Sequence, residues 1–140
     1  MFSIDALPTG GSNYVSFIAR RVGSSDYQAR LSISAAGAVQ LQLRRGDTTM
    51  TSATVSGLTI AAADTVNVRV QAFGTSPTTI RAKVWKVGTT EPTSWQVSTT
   101  DSTAALQSAG GVGVGLYVGS GVSNTPQTLR VASLSAVPVD

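Results

Sequence analysis

Residues Ser12–Arg45 read SNYVSFIARRVGSSDYQARLSISAAGAVQLQLRR, and their period of two decides the fold. Val15, Phe17 and Ala19 share one face of a first strand. Tyr27, Ala29, Leu31 and Ile33 then alternate with Gln28, Arg30, Ser32 and Ser34, and Val39, Leu41 and Leu43 alternate with Gln40, Gln42 and Arg44. Successive side chains of a strand point to opposite faces, so this alternation describes strands with one buried and one wet face. Gly23-Ser24-Ser25-Asp26 and Ala36-Gly37 supply turn chemistry between them. The prediction is three antiparallel strands in a meander.

Outward from that meander the same period continues. Arg45-Gly46-Asp47 ends the third strand; it matches an integrin-binding tripeptide, but in a hairpin turn these residues are ordinary and carry no weight. A weaker strand is predicted around Thr49–Val55. Val66, Val68, Val70 and Ala72 form the buried face of the next, and Ile80, Ala82 and Val84 that of its partner, with Arg81, Lys83 and Trp85 opposite. Trp95-Gln96-Val97 reads as a short strand. Ser102–Leu106 reads as one helical turn or a crossing loop, with Asp101 or Ser102 as N-cap. Val112, Val114, Leu116 and Val118 are expected to face inward. Gly111, Gly113 and Gly115 lie opposite, where missing side chains permit close packing. Gln127–Leu134 makes a closing strand. About nine or ten short strands and no amphipathic helix indicate an all-β fold, an antiparallel jelly-roll-like β-sandwich. Residues 1–140 are read as one domain, with 1–11 as an N-terminal arm or replacement strand.

A chain of 140 residues suits one domain with its own core. Charged residues make up 12%, about half the usual share. Ser, Thr, Gln, Gly and Ala replace them, which gives a neutral, hydroxyl-rich outer face suited to partial cover by neighbouring subunits. Ten basic and seven acidic residues leave a net charge of +3, spread in pairs such as Arg20/Arg21 and Arg44/Arg45 rather than in a block. A nucleic-acid footprint needs a clustered basic face, so no nucleic-acid partner is expected. The absence of Cys excludes disulfides and thiolate metal sites. No run approaches membrane-spanning length, so no membrane partner is expected. Met1-Phe2-Ser3-Ile4-Asp5 lacks the basic and apolar regions of a signal peptide.

Several ordered segments carry a resemblance: Pro8-Thr9-Gly10-Gly11, Ala19-Arg20-Arg21-Val22-Gly23, Asp26-Tyr27-Gln28-Ala29-Arg30, Thr75–Trp85, Glu91-Pro92 leading to Trp95-Gln96, and Asp101–Gln107. Together these resemble a concanavalin A-like, laminin G-like β-sandwich module of secreted actinobacterial proteins and of virion proteins of their phages. The resemblance runs from about Pro8 to Leu134. Complete domains of that family begin with further strands upstream, so the sandwich is expected to lack leading strands. Phe2, Ile4 and Ala6, alternating with Ser3 and Asp5, offer a short replacement; otherwise another copy or chain fills the gap. A homo-oligomer or assembly with other virion proteins is therefore expected.

Enzymes on this general fold use paired carboxylates about 5 Å apart. Here Glu91 is the single Glu and stands beside Pro92. Asp5, Asp26, Asp47, Asp64 and Asp101 are isolated near strand ends and read as turn and cap residues. Without His there is no imidazole base. The expectation is a protein without catalysis and without a cofactor. A Ca²⁺ at the sandwich rim is what the resemblance adds, with Asp26, Asp47, Asp64 or Asp101 as donors. For carbohydrate, Trp85, Trp95 and Tyr117 are the candidate ligand-binding residues, with Tyr14 and Tyr27 also considered. Trp85 is read as solvent-facing and Trp95 as core. The favoured function is a structural or adhesive virion component, a capsid decoration or tail-associated protein on the particle surface. The alternative is a carbohydrate-binding module of a secreted extracellular protein, and a cell-surface glycan is the ligand class considered.

Overall fold

The computed structural model describes residues 1–139. Its strands are β1 (Phe2–Ile4), β2 (Ser12–Val22), β3 (Ser25–Ser34), β4 (Ala38–Arg45), β5 (Thr48–Thr59), β6 (Val66–Phe73), β7 (Thr78–Lys86), β8 (Val97–Asp101), β9 (Gly111–Val118) and β10 (Leu129–Val131). They form two five-stranded sheets, a front sheet β5-β4-β3-β2-β9 and a back sheet β10-β1-β6-β7-β8. Every neighbouring pair is antiparallel. This is the predicted β-sandwich.

The core follows from the alternation. Val15, Leu31 and Leu41 stand in register across β2, β3 and β4, and all three are buried. Ile80, Ala82 and Val84 of β7 meet them from the back sheet. Phe2 and Ile4 are fully sunk into the same cluster, Phe2 against Phe17 with ring centroids 5.5 Å apart. The first residues thus contribute a strand between β6 and β10.

Turn chemistry sets the register. Gly23-Ser24 joins β2 to β3 and Gly46-Asp47 joins β4 to β5, with both glycines at positive φ, as tight hairpins require. Gly37 also has positive φ, and the space where its side chain would stand is taken by the Ile60 carbonyl. Its own carbonyl accepts the Ile60 amide at 2.9 Å. Past the paired part of β8 a side chain continues the ladder. The Gln96 amide donates to the Val84 carbonyl at 3.0 Å and accepts from the Val84 amide at 2.8 Å.

Several local expectations are corrected. β5 runs for twelve residues rather than seven, because its pairing with β4 extends from Thr48 to Thr59 across register shifts at Met50 and between Thr54 and Thr59. The closing strand shortens to Leu129–Val131. Trp95 and Gln96 precede β8 instead of opening it. Val112 is 52% exposed, since β9 is an edge strand and the register of β2 shifts opposite that position. Gly111 and Gly115 face open space, and Gly113 meets only the Ile18 side chain. The close backbone approach belongs to Gly110, against the Arg21 backbone.

Gly37→Ala therefore places a methyl against backbone in a left-handed conformation and should cost about 2 kcal/mol or more. Gly115→Ala should stay within about 0.5 kcal/mol of the parent. Urea unfolding of the two variants beside the parent measures both.

Candidate functional site

The structure places the three nominated aromatics in three separate places. Trp85 of β7 is half-buried and lines an open cleft of about 440 Å³ between Val55–Thr59 of β5 and the loop that carries Thr89, Thr90 and Pro92. Three of the polar groups at that cleft are engaged elsewhere, while Ser56, Thr59 and Thr90 also line it. Lys86 pairs with Asp64 at 2.7 Å, Thr89 Oγ1 donates to the Lys86 carbonyl, and Gln96 is spent on Val84.

Trp95 is not core. It lies half-buried on the outer face of the back sheet, under the Arg81 guanidinium at 4.5 Å and the Lys83 ammonium at 4.9 Å from its ring centroid. Cation–π attraction accounts for this seat. Arg81 also stacks on Phe73 at 4.8 Å. Lys83, expected to be solvated, is buried, with Nζ donating to the Pro92 carbonyl at 2.7 Å and paired with Glu91 at 2.7 Å. Glu91 also pairs with Arg69 at 2.9 Å. The sole Glu therefore holds a loop over the sheet.

Tyr117 stands on the front sheet, 62% exposed. The register sets two adjacent rows across all five strands of the outer face. One runs Tyr117, Tyr14, Ser32, Gln40, Thr54; the other runs Gly115, Ser16, Arg30, Gln42, Ser52. The Tyr14 and Tyr117 centroids are 5.8 Å apart and tilted by 42°, and the Arg30 guanidinium lies 4.7 Å above the Tyr14 ring. Arg30 Nε donates to Gln42 Oε1 at 3.0 Å, and Gln42 Nε2 donates to Gln40 Oε1 at 2.7 Å. Ser32, Gln40 and Thr54 edge a shallow depression of about 170 Å³. Tyr14 and Tyr117 were legible as aromatics. The roles of Arg30, Gln40 and Gln42 were missed, although their alternation marks them as a wet row.

Tyr27, considered as a sugar contact, is fully buried. Its hydroxyl donates to Asp101 Oδ1 at 2.6 Å. Arg45 Nη1 donates to Asp101 Oδ2 at 2.6 Å and to Thr103 Oγ1 at 2.7 Å. The Thr103 amide donates to Asp101 Oδ1 at 2.8 Å, and Thr103, rather than Asp101 or Ser102, is the N-cap of the single 3₁₀ turn Ala104–Leu106, without a side-chain cap. Gln107 Nε2 donates to the Tyr27 hydroxyl at 3.2 Å and to the Thr103 carbonyl at 3.0 Å. Arg20 reaches across from β2 to Thr78 Oγ1 and the Leu106 carbonyl, both at 2.9 Å. Burial pushes the Asp101 carboxyl up. Hydrogen bonds from Tyr27 and Thr103 and the charge of Arg45 more than reverse this and hold it at about 2. Burial and the adjoining carboxylate push the Tyr27 phenol up to about 12.

Each carboxylate among the described residues has a cation within 4 Å. No group of three His, Cys, Asp or Glu there is placed to hold a metal ion, and no helix is long and apolar enough to cross a membrane. The Asp47 side chain projects from its turn and Asp64 caps the Ala61 amide at 2.7 Å, so neither faces another donor set. No family model, curated protein or solved structure matches the chain.

Because the Asp101 pKa is lowered on folding, its contribution is present above pH about 4 and disappears as pH falls toward 2. The depression from 3.8 to about 2 corresponds to roughly 2 kcal/mol. Asp101→Asn should lower stability at pH 7 by about 2 to 3 kcal/mol. It should also flatten the stability curve between pH 4 and 2, as read from urea midpoints across that range.

Proposed function

We propose that the chain is a non-catalytic adhesive and structural β-sandwich displayed on the exterior of a phage particle, as a capsid decoration or tail-associated domain. The observation that carries this reading is the outer face of the front sheet. Two neutral-to-basic rows of Tyr, Ser, Thr, Gln and Arg cross five strands without interruption, on a rigid frame whose carboxylates are taken up in ion pairs. A face of hydroxyls, amides and an open aromatic ring suits the polar edges and apolar faces of sugars. The resemblance of Pro8–Leu134 to virion and secreted sandwich modules supports the setting, and with it a concanavalin A-like, jelly-roll connectivity. A secreted carbohydrate-binding module would use the same face. Immunogold labelling of purified particles separates the two settings.

Assembly with a second copy belongs to the same proposal. β9 presents an eight-residue edge, GVGVGLYV, with no charge and, among the described residues, no partner strand on its outer side. Edges of this kind are templates for strand addition. Two such edges meet antiparallel without like-charge repulsion, which would join two front sheets and double the sugar-facing surface.

Incubated on an array of bacterial envelope glycans, the protein should bind at least one class and leave it chemically unchanged, and light scattering at micromolar concentration should give a dimer or larger species. Cleavage of a bound glycan, or no binding to any, contradicts the adhesive reading; a monodisperse monomer contradicts the assembly.

A further inference from the structure

We infer that Tyr117, Tyr14 and Arg30 form a site for a carboxylate-bearing sugar, a uronic acid residue of a polysaccharide. The inference rests on the adhesive reading and names its ligand class.

Three observations converge on it. First, Arg30 has no carboxylate partner. Among the described residues its only side-chain hydrogen bond runs from Nε to Gln42, so both terminal nitrogens keep free donors. A guanidinium fork matches a carboxylate bidentately. Two other arginines lack an acidic partner but are engaged. Arg20 spends its nitrogens on Thr78, Leu106 and Ala72. Arg81, whose Nε donates to Gln71 as that of Arg30 does to Gln42, lies against two rings, Phe73 and Trp95, where Arg30 lies against one.

Second, Tyr117 offers an open ring beside that cation. Its aromatic neighbour is Tyr14, whose ring also seats Arg30. Trp95 has its ring under two cations, and the cation lining the Trp85 cleft, Lys86, is paired with Asp64. Of the candidate aromatics, Tyr117 combines a free ring with an unneutralised charge one strand beyond its partner.

Third, the floor beside them is low. Gly115 stands next to Ser16 in the Arg30 row, and nothing lies within 4 Å of the position its side chain would take. A pyranose ring lying over Gly115 and Ser16 can rest against Tyr117 with its carboxylate turned toward Arg30. The chain of sugars then follows Ser32, Gln40 and Thr54 toward the depression at the other side of the sheet, a track of roughly 19 Å at the usual strand spacing.

Isothermal titration with polygalacturonate and with the same polymer after carboxyl reduction tests this. The parent should bind the acidic polymer at least tenfold more tightly, with affinity falling as salt rises. Tyr117→Ala should weaken both polymers by about tenfold. Arg30→Gln should abolish the preference for the acidic polymer, and Arg30→Lys should keep part of it, all with melting temperatures near the parent's. Equal affinity for the two polymers, a preference retained in Arg30→Gln, or loss of binding through Trp85→Ala but not Tyr117→Ala overturns the inference. If polygalacturonate is not bound while other envelope glycans are, the uronate site is wrong and the adhesive reading stands; failure on every glycan removes both.

Discussion

The sandwich closes over a tyrosine whose hydroxyl has to find a partner. Tyr27 lies wholly between the sheets, and a buried hydroxyl without a hydrogen bond costs on the order of 1 to 3 kcal/mol. Asp101, at the end of β8, supplies the acceptor at 2.6 Å. A carboxylate in that position needs compensation of its own, and Arg45 of the opposite sheet supplies it. One buried phenol thus fixes where the back sheet's edge strand ends, how Thr103 starts the 3₁₀ turn and where Gln107 and Arg20 must reach. The apolar cluster drives the sheets together. The Tyr27–Asp101–Arg45 contacts favour the offset between them that satisfies the buried phenol.

The same logic distributes charge over the rest of the surface. Asp5 is held by Arg130, Asp26 by Arg21, Asp64 by Lys86, and Glu91 by Lys83 and Arg69. The more exposed of these pairs contribute little to stability one by one, but together they use up the acids. Asp101, held at about 2 by its partners, is a poor proton donor near neutrality. The outer face of the front sheet carries an arginine without a carboxylate partner, a row of amides and hydroxyls, and an open tyrosine ring. Groups of these kinds engage ligands by hydrogen bonding and stacking.

Much of the architecture was legible because the strands of the meander obey a period of two so strictly. Tyr27, Ala29, Leu31 and Ile33 are all buried, as are Val39, Leu41 and Leu43. The glycine spacing of β9 was visible too, but its meaning was not. Whether a glycine faces a neighbour or open space depends on the register of an edge strand, which local sequence does not encode. Trp95 misled for a similar reason. Its hydrophobicity suggests core, while its seat is set by Arg81 and Lys83, more than ten residues earlier in the chain. The Tyr14–Tyr117 pair joins residues a hundred positions apart through the β2–β9 pairing. Arg30 joins it only because β3 pairs with β2 one step along. Single residues on the wet face could be named from sequence; their assembly into a site is a property of sheet order.

The central claim is that the outer face of the front sheet, rather than the Trp85 cleft, is where this protein meets a glycan. Nuclear magnetic resonance mapping on isotopically labelled protein, titrated with short uronate oligosaccharides, addresses it most directly. The account predicts shifts concentrated at β9, β2 and β3 around Tyr117, Tyr14 and Ser16, together with the Arg30 Nε–H signal. Shifts concentrated instead at the Trp85 indole and Val55–Thr59, with the front face silent, would contradict it.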